Sequence, residues 1–138
     1  MKVWKNAECQ RIKWRVGQWS EEPDFALWPY RNLDLAIART PLMGTLCGLV
    51  CFPRGHRLWG KDKGGLSFTR PINIKGVVEK RWDIEELRTY WMLGFDTCFE
   101  EDLIPLIGEG EGLSYKGFRY VKEETEKLAD LILKEDDY

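Results

Sequence analysis

Residues 54–69, RGHRLWGKDKGGLSFT, concentrate side chains of the kind that recognise anions. Gly55, Gly60, Gly64 and Gly65 let a backbone approach a ligand closely and turn its N–H groups outward, the geometry by which loops hold phosphates. Arg54, Arg57, Lys61 and Lys63 add cations, Ser67 and Thr69 add hydroxyls, and His56 and Trp59 offer flat faces for stacking on a base. These are the parts of a rim for a small anionic ligand. The same composition also describes an ordinary solvated loop, so the two readings stand side by side.

Other chemistries are limited by what the chain lacks. His56 is its only histidine, so a Ser-His-Asp or Cys-His relay has a single candidate base. No GxSxG surrounds a serine, and no catalytic residue is expected. Asp96, Glu100, Glu101 and Asp102 lie close in sequence and could form a carboxylate-bound magnesium site, although an EED run is more often a solvated acidic loop. Cysteines at positions 9, 47, 51 and 98 include no CxxC pair, which argues against zinc and for reduced thiols. Neither GKDKGG nor GEGEG has the spacing of a phosphate-binding GxxxxGK[ST] loop, and no cofactor is expected.

The net charge of −2 conceals an uneven distribution. Residues 1–81 carry 15 Lys/Arg against 7 Asp/Glu, and residues 82–138 carry 6 against 16, so the two parts stand at +8 and −10. Such a split serves either an anionic partner or attraction between two parts of one fold. Nucleic acid is not an expected partner, because no helix-turn-helix, RRM or zinc-finger pattern accompanies the basic residues. No apolar run is long enough to span a membrane, the N-terminus has no signal-like apolar core, and a cytoplasmic protein is expected.

The elements that must position these residues can be read from periodicity. NLDLAIAR alternates Leu33, Leu35 and Ile37 with Asp34 and Ala36, the pattern of a half-buried strand, and TPLMG supplies a reversal. TLCGLVCF follows as a more apolar and therefore central strand, with Cys47 and Cys51 on one face. GLSFT reads as a short strand ended by Pro71, WDIEELR as one or two helical turns capped by Asp83, and TYWMLGFDT as a buried strand. Phe118, Val121, Thr125, Leu128 and Ile132 recur at spacings of three and four, predicting an amphipathic helix over about residues 121–134. The expected fold class is α+β, a single domain over residues 1–138 in which an antiparallel sheet carries a C-terminal amphipathic helix packed on it. Residues 1–30 form an irregular or extended segment and residues 31–136 the core.

Read in order, LDLAIART, GTLCGLVCFPRGHRLWGKD, GGLSFT, YWMLGFDT, DLIP and SYKGFRYVKEETEKLADLIL resemble a family of small phage-encoded hypothetical proteins with GHPLYGK, HGGLT and GFDCAH-like motifs. The resemblance covers about residues 30–134. It puts Gly55, His56, Gly60, Lys61, Gly64, Gly65, Leu66, Ser67, Gly94, Phe95 and Asp96 on the family's motif positions. Two positions depart from it: Lys63 and Phe99 stand where the family has histidines, leaving a site suited to an anion rather than to a metal.

The resemblance implies a phage protein acting in the host cytoplasm against host defence. The expected role is to bind and sequester a small anionic ligand of the nucleotide or cyclic-nucleotide class, without catalysis. Arg57, Lys61 and Lys63 are expected to contact phosphate, Gly64 and Gly65 to donate backbone N–H groups, Ser67 and Asp96 to hold ribose or base edges, and His56 and Trp59 to stack. Two alternatives come from other classes: an inhibitor that occupies a host protein through its tryptophan-rich surface, and a metal-dependent nucleotide-processing enzyme using Asp96 and the EED run. A membrane is not an expected partner, whereas a homo-oligomer would give so small a domain a deep pocket at a subunit interface.

Overall fold

The computed structural model describes residues 1–6, 9–59, 74–75, 90–98, 102–108 and 110–136, with backbone alone for 74–75 and 135–136. Its sheet has six strands: β1 (Lys2–Trp4), β2 (Phe25–Tyr30), β3 (Leu33–Arg39), β4 (Leu46–Phe52), β5 (Ile74–Lys75) and β6 (Trp91–Asp96). Their order is β1-β2-β3-β4-β6-β5, and every pairing is antiparallel. Among the described residues one α-helix, α1 (Phe118–Asp136), packs on the sheet. The α+β architecture expected from the periodicity is the one observed. Among the described residues no helix is long and apolar enough to cross a membrane.

The alternation of β3 and β4 sorts side chains onto two faces. Leu35, Ile37, Leu46, Val50, Phe52, Leu93 and Phe95 face α1, where Val121, Leu128, Ala129 and Ile132 close the core. Phe25, Ala36, Ala38, Cys47, Leu49, Cys51 and Met92 form a second buried cluster on the other face. β4 is buried along its whole length, as its near-continuous apolar sequence requires. Gly48 sets how closely the helix approaches: a Cβ there would stand 2.2 Å from the Thr125 hydroxyl and 2.5 Å from the Phe95 ring.

β2 and β3 are joined by Arg31 and Asn32, with φ of 50° and 66°, the left-handed pair that suits the twist of a two-residue hairpin. Asn tolerates that conformation and Arg only at a cost, so the turn carried a weak signal in the sequence. Pro29 stands in β2 opposite Asp34, beyond the last residue that β1 pairs, where its missing N–H breaks no bond on that side.

Residues 9–24 are part of the packed fold. Two 3₁₀ turns, Arg11–Lys13 and Gln18–Ser20, lay Trp14 and Trp19 against Leu103, Leu106, Leu113 and Tyr115 in a third apolar cluster. Beneath them Arg39 is fully buried, and its five N–H groups all donate. The acceptors are Asp24 Oδ1 (2.9 Å), the Gly44 carbonyl (2.8 Å), Tyr115 Oη (2.8 Å), Glu22 Oε1 (3.1 Å) and the Pro23 carbonyl (3.0 Å). Arg11 reaches the same Asp24 carboxylate, and the Asn6 N–H donates to it at 2.8 Å. A buried guanidinium is tolerated only when its charge and every donor are met, and residues 22–24 supply most of what Arg39 needs.

Candidate functional site

β4 ends at Phe52 and β6 begins at Trp91, and these two residues are direct partners in the ladder. Leaving β4, the chain folds on itself after Pro53: the His56 N–H donates to the Pro53 carbonyl at 3.0 Å and the Trp59 N–H to the His56 carbonyl at 2.9 Å. Gly55 takes φ +94°, a conformation side-chain-bearing residues rarely adopt, and nothing lies near where its Cβ would be. Leu58 tucks against the core on the helix side and holds this loop down.

Three ring contacts define the surface so formed. The His56 ring lies 5.1 Å from Phe52, the Trp59 ring 5.7 Å from Trp91, and the Arg54 guanidinium 5.2 Å from the centre of Trp59. Nδ1 of His56 accepts from the Leu58 N–H at 3.0 Å, which puts the proton of the neutral imidazole on Nε2. Arg54, Arg57 and Trp59 are exposed and His56 is half-buried. The arrangement is a small aromatic ledge with the Arg54 guanidinium against one ring and Arg57 exposed in the same loop, seated on the paired ends of two central strands.

Of the residues singled out from the sequence, His56, Arg57 and Trp59 come together here. Asp96 does not join them. It pairs with Cys47 at the opposite end of the β4–β6 ladder, five residues from the Phe52–Trp91 pair, or about 17 Å at the usual rise of a strand. It also lies on the other face, 3% exposed, so Asp96 and the ledge cannot touch one compact ligand. Lys61, Lys63, Gly64, Gly65 and Ser67 lie outside the described residues, as do the GLSFT strand, Pro71, the Asp83-capped turn, Phe99, Glu100 and Glu101. Trp91 was missed in reading the sequence for site residues. Only the strand register reveals it, because it stands far along the chain from Trp59 and meets it through the pairing of β6 with β4.

The remaining candidates for chemistry are occupied structurally. Asp102, in the acidic run, is buried and ion-paired with Lys116 at 3.3 Å rather than solvated. Among the described residues no three His, Cys, Asp or Glu side chains converge as a metal would require. Tyr90 donates its hydroxyl to Asp34, and burial first, then this bond, pushes the phenol upward. Burial pushes the Cys51 thiol up as well, with the Asp34 charge adding to it, so this thiol is protonated and unreactive at neutral pH. Cys47 and Cys51 do share one face of β4, and no disulfide joins any of the four cysteines.

No family model, curated protein or solved structure matches this chain.

Proposed function

We propose that the protein binds, without turning it over, a small anionic ligand that carries a flat ring, at the ledge made by Arg54, His56, Arg57, Trp59 and Trp91. The observation that carries this reading is the Trp59–Trp91 pair with Arg54 against it: an exposed stacking surface with cations beside it suits a base and a phosphate together. Residues 60–69 follow Trp59 directly in the chain and add Lys61, Lys63, Gly64, Gly65 and Ser67 to the same reading. Sequestration of a nucleotide or cyclic-nucleotide immune signal by a phage protein is the setting that the family resemblance implies, and it asks for this kind of ligand.

The experiment is a thermal-shift screen against cyclic mononucleotides, cyclic oligonucleotides and adenine dinucleotides. A ligand at a hundred times its dissociation constant stabilises the fold by about 2.7 kcal/mol, several degrees for a chain of this size. Trp59→Ala and Lys63→Glu each weaken such binding at least tenfold, whereas Asp96→Asn, at the far end of the ladder, leaves it unchanged. A screen in which no compound shifts the midpoint overturns the reading and favours the alternative, in which Trp and Arg side chains anchor a host protein.

A further inference from the structure

The opposite end of the sheet presents a second surface. Ile12 and Val16 are 96% and 94% exposed, Ile107 68% and Leu42 48%. These aliphatics stand on three segments that are tied to one another. The Gln10 N–H donates to the Pro41 carbonyl at 2.8 Å, the Trp14 indole N–H to the Leu42 carbonyl at 2.8 Å, and the Leu106 N–H to the Met43 carbonyl at 3.1 Å. The Gly108 backbone comes against the Arg15 side chain: a Cβ there would lie 3.7 Å from Arg15 Cδ. Half of the large apolar side chains that are exposed among the described residues therefore gather at this one end.

Charge decides what could cover it. Lys13 and Arg15 are exposed between and beside Ile12 and Val16, and Glu111 is exposed on the turn that follows Ile107 and Gly108. Both signs thus border one apolar centre. An anionic lipid surface would repel Glu111, and an acidic protein partner would leave it opposite a like charge. A patch carrying an apolar centre and both signs is complementary to its own copy turned through a two-fold axis.

We propose that this end of the molecule is the interface of a two-fold symmetric homodimer, with Ile12, Val16, Leu42 and Ile107 at its centre and Arg15 of each copy against the partner's Glu111. The contact involves none of the ledge residues. It lies at the end of the sheet where β4 begins and the ledge at the end where β4 finishes, so the dimer carries its two ledges at its far ends, about the length of a strand from the interface.

Sedimentation velocity across a hundredfold range of concentration tests this. The unaltered chain sediments as a dimer. The Ile12→Asp/Val16→Asp double variant raises the dissociation constant at least ~100-fold, as the loss of central anchors does, while its far-ultraviolet circular dichroism stays that of the folded chain because both side chains are solvated in the monomer. Arg15→Glu and Glu111→Arg each weaken the dimer, and the two together restore it. A chain that stays monomeric at the highest concentration overturns the proposal. So does a double variant that dimerises as tightly as the unaltered protein, or a charge exchange that fails to restore association. A monomer that instead co-sediments with vesicles of phosphatidylserine and phosphatidylcholine overturns it in favour of a lipid surface.

Discussion

The Asp24 carboxylate is the acceptor shared by Arg11, Arg39 and the Asn6 N–H, and it lies beside the thiol of Cys9. Burial first, and then the charge of Asp24, push this thiol up to about 12 from an ordinary 9.0. Burial raises Cys51, Tyr90 and Tyr115 in the same direction. A group whose pKa is higher folded than unfolded keeps its proton longer in the native state, so its contribution to stability is complete below the unfolded value and is lost above it. The thermal midpoint should therefore hold through neutral pH and fall between pH 9.0 and about 12, with Cys9→Ala removing part of that fall. Calorimetry across this range checks it, and a midpoint indifferent to alkaline pH would contradict the assignment. The shared face of Cys47 and Cys51 was legible from their spacing. The company of Cys9 was not, because Asp24 and Arg39 reach it only through the folded chain.

At the scale of elements, α1 shows where periodicity succeeds and where it stops. Its inner residues Val121, Thr125, Leu128 and Ile132 are the ones the three-and-four spacing selects. Its start lies earlier than expected: the helix begins at Phe118, the first residue of the periodic set, rather than at about residue 121. The reason is a cap brought from far away. The Glu22 carboxylate accepts from the Phe118 N–H at 2.9 Å, satisfying a donor that helix starts leave open and placing negative charge at the positive end of the dipole. No local sequence pattern encodes a cap ninety-six residues distant. The same carboxylate also accepts from Tyr115 and pairs with Arg39. Glu22→Gln removes the charge while keeping the shape. Because breaking a buried ion pair costs about 3–5 kcal/mol and a lost cap about 1, and Gln retains some of the bonds, a loss of about 3 kcal/mol is expected. That is roughly 10 °C in the midpoint for a chain of this length, and a change below about 2 °C would remove Glu22 from the network's energetics. β2 escaped the sequence reading for a related reason: its alternation of Phe25 and Leu27 against Ala26 and Trp28 sits among prolines, tryptophans and charges that obscure it.

At the scale of the whole molecule, the ion pairs among the described residues fall chiefly within each part of the charge split rather than between the two. Among the described residues, Arg11 and Arg39 pair with Glu22 and Asp24 inside the basic part, and Lys116, Arg119, Lys122 and Lys127 find their acids inside the acidic part. Arg31–Asp130 is a pair that crosses, and both of its side chains are about half exposed. An exposed pair contributes about 0.2–1 kcal/mol and is screened by salt, whereas the buried network is screened little. Raising NaCl from low to high concentration should therefore move the thermal midpoint by no more than about 3 °C; a large drop would mean that long-range attraction between the parts holds the fold after all. The loop was legible as composition, since His56 and Trp59 fall in one short stretch, but its neighbours were not, because strand register brings Trp91 beside Trp59 and carries Asp96 to the far end of the ladder. The Glu22–Phe118 link has a further consequence, for the order of events during synthesis. Successive strands β1 to β4 pair with their neighbours and can zip together as they emerge, yet Arg39 acquires Tyr115, and Glu22 its helix, only when residues 115–118 arrive. Residues 22–39 are secured by residues 115–118, so a nascent chain keeps this region open to proteases and chaperones until residue 118 has emerged.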